Sequence, residues 1–385
     1  MSTDQRPGRN SSLNGAAASP HVVVIYGGQS AEAEISIISG SAIASALMER
    51  GVPVTQLLIA RSGLAALLPT GHVRGDRAPR DYTSEEGATA IIETLFRPLS
   101  ELLAELFLRH PDAVFVPALH GPGDEDGEVQ QILDAKGVAF VGARPAAAAL
   151  GMDKARFKEL AASLGVPVLP HLLIDAQRWG VSREAVLTEI EAFAAKHAER
   201  GALIGKPAAH GSSIGMRIAR TPSEWPLAVA LALEYGDQAL LEPYLNRPRE
   251  LEIALLESPD GSVVAYGPGE VFPGREFYDY DAKYADGVSR TTATPDLEAA
   301  LAEPLRVVAL RLFRAFGGRG LARMDFLMRS TGAEAGAWYL SEVNTFPGFT
   351  PISLFPALVT AAGMSFSDLC LHLVLTAQAQ ARSSR

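Results

Sequence analysis

Two segments in the C-terminal third concentrate oxygen-bearing side chains that could bind a metal ion: RMDFLM around Asp325 and SEVNTFPG around Glu342. Alternate side chains of a strand share a face, so Arg323 and Asp325 point away from the apolar residues between them. Glu342 and Asn344 share a face in the same way. If the two strands are neighbours, these oxygens converge, and all-oxygen ligand sets suit Mg²⁺ together with phosphate. Two strands with solvated polar faces are the alternative, although the Pro-Gly turn that follows favours a shaped loop.

A glycine–serine loop, KPAAHGSSIG, follows a predicted strand that carries Lys206. Backbone N–H groups of such a loop can cradle phosphates, and a lysine adds a point charge. The segment is not a P-loop, because G-x-x-x-x-G-K-[ST] does not occur in the chain. Gly27-Gly28, after the first predicted strand, also lacks the dinucleotide fingerprint G-x-G-x-x-G. A plain hairpin turn is the alternative interpretation of KPAAHGSSIG.

Several single charged residues stand at the predicted ends of elements. Lys154, in GMDKARF, lies near a helix start, where the helix dipole favours acids. A nearby phosphate would explain this lysine, and a solvated surface lysine is the alternative. Glu32 and Glu34, in GGQSAEAEIS, could each be an ordinary acid at a helix N-terminus. His120, in LHGPGDEDG, follows an apolar strand at an edge where parallel sheets bind their ligands.

The segment YDYDAKY, residues 278–284, combines three tyrosines, two aspartates and a lysine. Tyrosine favours strands, so an alternating strand is one interpretation. A loop that closes over a substrate is the other, since glycines flank this acid–lysine–tyrosine cluster. Glu242 and Glu250, at the ends of strand segments in LLEPYLNRPRELEIALL, carry little signal individually.

The elements that must position these residues begin at residue 21, where short apolar strands alternate with helical stretches. This order predicts a parallel sheet covered by helices, with ligands beyond the carboxyl ends of the strands. A second block begins near Gly151 and contains a hairpin around the glycine–serine loop. A third block, richer in strands, begins near residue 240. Residues 61–100 are irregular, and we expect a surface excursion there.

Composition narrows the class of protein. The chain has 385 residues, enough for two or three domains, and a net charge of −10, which argues against nucleic-acid binding. Its single cysteine, Cys370, excludes a disulfide within the chain and argues against a cysteine-based zinc site. No run reaches the ~20 apolar residues that a membrane span needs, and the polar N-terminus lacks the apolar core of a signal peptide. We therefore expect a soluble cytoplasmic protein that does not bind membranes.

The order of the motifs resembles that of the D-alanine–D-alanine ligases of the ATP-grasp superfamily, from about His21 to the C-terminal helix. The matching stretches are GGQSAEAEIS, LHGPGDEDG, GMDK, KPAAHGSSIGM, REFYDYDAKY, RMDF and EVNTFPGFTPIS. The resemblance implies an α/β chain in which a doubly wound parallel-sheet domain precedes a two-lobed ATP-grasp fold with α+β lobes. After a disordered tail at 1–20, the N-terminal domain with the first D-alanine site would span 21–150. The central lobe would span 151–240, and the C-terminal lobe, with the metal site and a closing loop, 241–378.

This resemblance implies ATP-dependent joining of two D-alanines through an acyl phosphate, for peptidoglycan precursor synthesis. It implies two Mg²⁺ ions, replaceable by Mn²⁺, with ATP as co-substrate, and a homodimer. The implied metal ligands are Asp325, Glu342 and Asn344. The implied ATP contacts are Lys154, Lys206 and the loop residue Lys283 at the phosphates, Glu242 at the adenine and Glu250 at the ribose.

The remaining implied roles concern the two D-alanines. Glu32 would hold the ammonium of the first, with Ser212 and Tyr284 hydrogen-bonded to that glutamate and His120 close by. Arg323 and the backbone N–H of Gly348 would form the oxyanion hole, and Ser353 would contact the carboxylate of the second D-alanine. Three departures bear on fine specificity: Ala33 replaces a larger residue, Asp124 replaces a common glycine, and the segment from Glu242 to Glu250 is one residue longer than in the family.

Other functions stay open at this stage. Ligases that join D-alanine to D-serine or D-lactate, and specialised amino-acid ligases, belong to the same superfamily. Tyr284 predicts an amine rather than a hydroxy acid as second substrate. A regulatory protein with a decayed site would have lost a metal ligand or a phosphate lysine, and all are present here. A kinase that releases a phosphorylated product would be distinguished by the absence of a dipeptide.

Overall fold

The computed structural model describes residues 19–68, 96–121, 123, 125–273, 290–350 and 353–383. The segment YDYDAKY lies outside the described residues, and with it Lys283 and Tyr284. Asp124 lies outside them as well. Three sheets, each covered by helices, make up the described part of the chain.

The first sheet has six strands: β1 (Val22–Gly27), β2 (Val54–Ile59), β3 (Leu64–Leu68), β4 (Arg97–Pro98), β5 (Val114–Pro117) and β6 (Ala139–Phe140). Their order is β4-β3-β2-β1-β5-β6. The four neighbouring strands β2, β1, β5 and β6 are parallel, which confirms the prediction from strand–helix alternation. Strands β3 and β4 extend one edge antiparallel, within the stretch predicted to be irregular. A tight turn at Gly63, with φ of 82°, allows β3 to fold back on β2.

Three helices pack on this sheet: α1 (Ala33–Glu49), α2 (Leu99–Arg109) and α3 (Glu128–Lys136). Helix α4 (Pro145–Met152) follows them in the chain, but its Ala147 and Ala148 join the core of the third sheet. Alternate residues of β1 pack to opposite faces. Val22, Val24 and Tyr26 join the core that includes α1, while Val23 and Ile25 join the core under α2 and α3. Because both faces are covered, the central strands β1 and β5 are apolar along their length. Helix α1 begins directly after Glu32, so this acid lies at the carboxyl edge of the sheet.

The second sheet has four antiparallel strands: β7 (Leu172–Asp175), β8 (Leu203–Pro207), β9 (Arg217–Ala219) and β10 (Gln238–Pro243). Helix α5 (Lys154–Ser163) precedes this sheet in the chain, but its Phe157 and Ala161 join the core of the third sheet. The helices on the second sheet are α6 (Ala176–Val181), α7 (Arg183–His197) and α8 (Trp225–Leu233). Strands β8 and β9 form the predicted hairpin around the glycine–serine loop. The single helix predicted after Gly151 is divided at Asp153, whose carboxylate accepts a hydrogen bond from the Arg156 N–H and caps α5.

The third sheet is antiparallel, in the order β13-β12-β11-β14-β15. Its strands are β11 (Arg249–Glu257), β12 (Val263–Phe272), β13 (Arg290–Thr292), β14 (Leu321–Met328) and β15 (Trp338–Asn344). Helix α9 (Ala299–Ala315) contacts β11, β12 and β14. One face of β14, formed by Met324, Phe326 and Met328, is buried in the core shared with α9. The opposite face is free to carry polar groups.

The last two helices, α10 (Leu354–Ala361) and α11 (Phe366–Ser383), return to the first sheet. Leu369, Cys370 and Leu373 of α11 pack in the same core as α1 and β1. Cys370 is buried there, as its apolar surroundings in the sequence predict. Among the described residues no single helix is long and apolar enough to span a membrane; α10 and α11 reach that threshold only as a pair, bent by 100°.

Candidate active site

A cavity lies between the second and third sheets, and the predicted site residues converge on it. It encloses about 1050 Å³, counting the open space at its mouth. Eight of the predicted residues line it: Lys154, Lys206, Ser212, Glu242, Glu250, Arg323, Asp325 and Glu342. Apolar side chains such as Leu169, Ile204 and Met216 line it as well. The cavity therefore offers apolar walls with a few convergent charges, as ligand sites do.

The two acid-bearing strands are neighbours. In the register of β14 and β15, Asp325 pairs with Glu342 and Arg323 pairs with Asn344. Arg323 donates two hydrogen bonds of 2.7 Å to the carboxylate of Asp325, and Asn344 Nδ2 donates a third, of 3.0 Å. A bulge leaves Ser341 as an extra residue on β15. It brings Glu342 opposite Asp325, so the convergence predicted from alternation is present.

The donor set fits a magnesium ion that shares its coordination with phosphate. Within the described ranges, no group of three or more His, Cys, Asp or Glu side chains forms an all-protein metal cage. Magnesium at phosphate sites uses only one or two carboxylates and takes its other ligands from phosphate and water. Asp325 and Glu342 now face the cations of Arg323 and Lys154. Both carboxylates are thus paired with cations beside the cavity.

Three lysines form ion pairs with two glutamates near these strands: Lys154 with Glu342, and Lys158 and Lys206 with Glu242. Lys154 Nζ lies 3.0 Å from Glu342 Oε2 and donates a 2.6 Å hydrogen bond to the His210 carbonyl. Lys206 Nζ lies 2.5 Å from Glu242 Oε2, and Lys158 Nζ lies 2.7 Å from Glu242 Oε1. Burial opposes ionisation of Glu242, but the two lysines outweigh it and lower the pKa of this carboxyl to about 2.

The glycine–serine loop adopts a strained conformation. Ser212 and Ser213 have φ values of 48° and 57°, in a region that residues with side chains rarely occupy. In this conformation the Ser212 hydroxyl donates a short hydrogen bond to Glu32 Oε1, although the two residues are 180 positions apart in the sequence. A Cβ at Gly211 would lie 2.8 Å from Glu32 Oε2, and a Cβ at Gly121 would lie equally close. Both glycines are required because the backbone approaches the carboxylate so closely.

Glu32 is the most distinctive group of the site. Its side chain is buried, and its N–H donates a 3.1 Å hydrogen bond to Ser30 Oγ. Ser212 satisfies Oε1, but Oε2 is buried and has no hydrogen-bond partner within the described part of the chain. A buried polar atom without a hydrogen-bond partner costs on the order of 2–7 kcal/mol even when it is neutral. The geometry therefore favours a cationic donor at this oxygen.

A second acid beside Glu32, partly buried, was not singled out from the sequence. Glu125, within the LHGPGDEDG motif, accepts a 3.3 Å hydrogen bond from the Gly121 N–H. Burial and then the charge of Glu32 raise the pKa of Glu125 to about 8. Glu125 is therefore mostly protonated at neutral pH. Only its place in an acid-rich loop could have marked it, because the shift depends on burial.

His120 lies on the other side of Glu32 and is buried. Burial lowers the pKa of His120, and the nearby charge of Glu32 opposes this shift. Its Nε2 lies 3.4 Å from Ser39 Oγ, which also accepts a 3.2 Å hydrogen bond from the Phe349 N–H. Ser39 of α1 thus connects the histidine to the loop that follows β15.

That loop carries Gly348 and leads to Ser353. Ser353 Oγ accepts a 3.1 Å hydrogen bond from the Thr350 N–H and lies 2.8 Å from Thr350 Oγ1. A Cβ placed on Gly348 would lie 3.4 Å from Ser353 Oγ, so the two predicted residues are neighbours. Arg323 is buried, but Asp325 and Glu252 raise its pKa well above the usual value, so the guanidinium stays charged.

Comparisons with known proteins agree with this arrangement. Residues 21–143 match the family model described as D-ala D-ala ligase N-terminus, and residues 160–375 match D-ala D-ala ligase C-terminus. A D-alanine–D-alanine ligase of Heliobacterium modesticaldum is 36% identical over 359 residues, covering 92% of this chain and 93% of that protein.

Two solved structures are similar over most of the chain. A D-alanine–D-alanine ligase from Coxiella burnetii superimposes with a TM-score of 0.72 at 25% identity, covering 96% of each chain. The VanG D-Ala:D-Ser ligase of Enterococcus faecalis does so with a TM-score of 0.75 at 26% identity, covering 92% of this chain and 98% of the other. These similarities over most of the chain identify the fold as ATP-grasp. The chain therefore belongs to the D-alanine–D-alanine ligase family.

Proposed function

We infer that this protein is an ATP-dependent D-alanine–D-alanine ligase that forms D-alanyl-D-alanine, ADP and phosphate for peptidoglycan precursor synthesis. Family membership supports the reaction, and one observation of the site carries the assignment. Glu32 Oε2 is buried and lacks a hydrogen-bond partner in the described ranges, beside a loop that leaves space only for glycine. An amino-acid ammonium group supplies the charged donor that this oxygen requires.

The first chemical step converts a poor electrophile into a reactive one. ATP phosphorylates the carboxylate of the first D-alanine, and this acyl phosphate provides phosphate as the leaving group. Lys154 and Lys206 line the cavity and neutralise the crowded phosphate charge. Asp325, Glu342 and Asn344 would hold Mg²⁺, or Mn²⁺ in its place, which supplies further charge neutralisation to the phosphates when bound. Glu242 and Glu250 lie where the adenine and ribose would bind.

The second step joins the two amino acids. The amine of the second D-alanine attacks the acyl phosphate, and a tetrahedral intermediate then expels phosphate. Arg323 and the Gly348 N–H stabilise its oxyanion, because they are donors already in place before charge develops. Ser353 contacts the carboxylate of the second D-alanine. Ser212 orients Glu32 through the short hydrogen bond between them.

The remaining assignments concern the setting of the enzyme. We propose that it acts in the cytoplasm as a homodimer, with D-alanine and ATP as its ligands and without nucleic acid or membrane. The proposed division into an N-terminal domain and two lobes places the cavity between the lobes at 151–240 and 241–378. Helix α11, in the C-terminal lobe by this division, packs on the N-terminal sheet and ties the two together.

The test measures ADP formation with Mg²⁺ and ATP under four conditions: no addition, D-alanine, L-alanine, and D-alanine plus D-serine. Mass spectrometry identifies the products. We expect ADP formation that depends on D-alanine and yields D-alanyl-D-alanine. ADP formation without a dipeptide would indicate a kinase and overturn the proposal. A mixed dipeptide formed in preference to D-alanyl-D-alanine would assign the second site to D-serine, the activity named for the Enterococcus relative.

A further inference from the structure

Lys158 is a fully buried lysine that the reaction described above does not use. It follows Lys154 by four positions on α5, so the two side chains lie on one face of the helix. Lys154 lines the cavity, whereas Lys158 is 0% exposed and does not line it. Lysine is almost never fully buried unless it is paired. Its partners therefore indicate what it does.

The contacts of Lys158 lead to Glu242. Its Nζ lies 2.7 Å from Glu242 Oε1 and donates a 3.3 Å hydrogen bond to the Leu340 carbonyl on β15. The other oxygen of Glu242 lies 2.5 Å from Lys206 Nζ. One carboxylate is thus shared between a lysine that faces the cavity and a lysine that lies behind it.

This asymmetry matters when a nucleotide enters. Lys206 can turn from Glu242 towards a phosphate, because both lie at the cavity. Lys158 cannot, because protein surrounds it and the Leu340 carbonyl holds it. Without a cation, the buried Glu242 carboxyl would take up a proton, since burial disfavours its charged form. Lys158 alone remains to prevent this once Lys206 has moved.

We propose that Lys158 is a positioning residue for the nucleotide base: it keeps Glu242 ionised and oriented while Lys206 engages the phosphates, and so selects a 6-aminopurine over a 6-oxopurine. The proposal rests on the ATP-binding role inferred for this cavity. An ionised carboxylate only accepts hydrogen bonds, and the amino group of adenine donates one. The 6-oxo group of hypoxanthine is an acceptor, so the two acceptors would face each other without a hydrogen between them.

Removal of Lys158 should therefore change the base preference as well as the affinity. A protonated Glu242 can donate to a 6-oxo group, so the preference for adenine should fall. The charged groups that act on Glu242 are Lys158 on α5 and Lys206 on β8, and Glu342 on β15 acts on Lys158 in turn. In Lys158→Met, only Lys206 remains to keep Glu242 ionised.

The experiment measures dissociation constants of ADP and IDP by calorimetry between pH 5.5 and 8, without D-alanine. Lys158→Met is compared with Lys196→Met, an exposed lysine on α7. The IDP/ADP ratio cancels the titration of phosphates and cavity lysines, because both ligands share it. We expect Lys158→Met to weaken ADP binding ~10-fold or more, the scale of a hydrogen bond to a charged group. We also expect its IDP/ADP ratio to fall towards one, most strongly at low pH, while Lys196→Met matches the wild type.

A double-mutant comparison shows whether Lys158 acts through Glu242. Glu242→Gln leaves no carboxylate to hold, so adding Lys158→Met to it should change ADP affinity by less than ~2-fold. This comparison also serves if Lys158→Met alone does not fold, because the double variant removes both charges of the fully buried Lys158–Glu242 pair together. An unchanged IDP/ADP ratio in Lys158→Met, or a ~10-fold loss in the Glu242→Gln background, would overturn the proposal. Wild-type nucleotide binding without D-alanine-dependent ADP formation would refute the proposed ligase reaction and leave this inference intact.

Discussion

Glu32→Gln is the most informative single substitution in this site, because it removes a charge and almost nothing else. The glutamine keeps the shape of the side chain and an oxygen for the hydrogen bond from Ser212. The buried Oε2 of Glu32 has no hydrogen-bond partner within the described residues, so the fold has no contact to lose there. Because a buried charged oxygen without a partner costs more than a buried neutral polar atom, we expect the free energy of unfolding of Glu32→Gln to equal or exceed that of the wild type.

Glu32→Gln should weaken the binding of the first D-alanine. A hydrogen bond between a charged donor and a carboxylate contributes about 1.5–3 kcal/mol. At about 1.4 kcal/mol for each tenfold change, this corresponds to a KM for the first D-alanine raised ~10- to 150-fold. Initial rates of ADP formation at saturating ATP, over a wide range of D-alanine concentrations, measure this change.

Glu34→Gln is the matched control. Glu34 lies two residues further on, at the start of the same helix, and its side chain is 43% exposed with Arg61 at 4.0 Å. Exposed ion pairs contribute about 0–1 kcal/mol, so KM should change less than ~5-fold. The reasoning is refuted if Glu32→Gln binds the first D-alanine as tightly as the wild type, or if both variants lose affinity equally.

Three further predictions follow from the same contacts. Gly211→Ala should raise the KM for D-alanine at least ~10-fold in initial-rate assays, because its Cβ would lie 2.8 Å from Glu32 Oε2; normal kinetics would contradict the close approach. Asp325→Asn should lower kcat by ~100-fold or more and raise the Mg²⁺ concentration needed for half-maximal rate, and an unchanged Mg²⁺ dependence would contradict the metal assignment. Because the pKa of Glu125 is raised from 4.5 to about 8, the folded chain holds a proton that the unfolded chain releases between these values, so stability from this group is lost as the pH rises through that window. Glu125→Gln should remove this loss, which is at most about 5 kcal/mol in urea unfolding at the alkaline end, and parallel profiles for both proteins would contradict it.

Sequence patterns within one segment were sufficient to predict features that depend only on residues close together in the chain. The alternation in RMDFLM placed Arg323 and Asp325 on one face of β14, because a strand has a period of two. The order of strands and helices after residue 21 predicted the parallel sheet, and the small residues after Lys206 predicted a hairpin loop. Strands β3 and β4 were missed, because they are short edge strands without alternation.

The motifs that resemble the family identified the site residues but not the charged groups that pair with them. Which charge neutralises which depends on distances between segments far apart in the chain, and no pattern in one segment encodes them. Ser212 reaches Glu32 only because the second sheet is held against the first. Nothing in the sequence distinguishes Lys158 from an ordinary surface lysine on a helix. Its burial against Glu242 depends on the tertiary packing.

The amino-acid sequence by itself determined the fold class, the loops that must contain glycine and the set of acids, lysines and the arginine available for chemistry. The tertiary structure alone decided which of these groups are ionised and which oxygen lacks a hydrogen-bond partner among the described residues. The physical reason is that burial and opposite charge shift a pKa in opposite directions. Glu242 and Glu125 show this: both are acids withdrawn from solvent, Glu242 fully and Glu125 partly, yet two lysines lower the pKa of Glu242 to about 2, and burial beside Glu32 raises that of Glu125 to about 8.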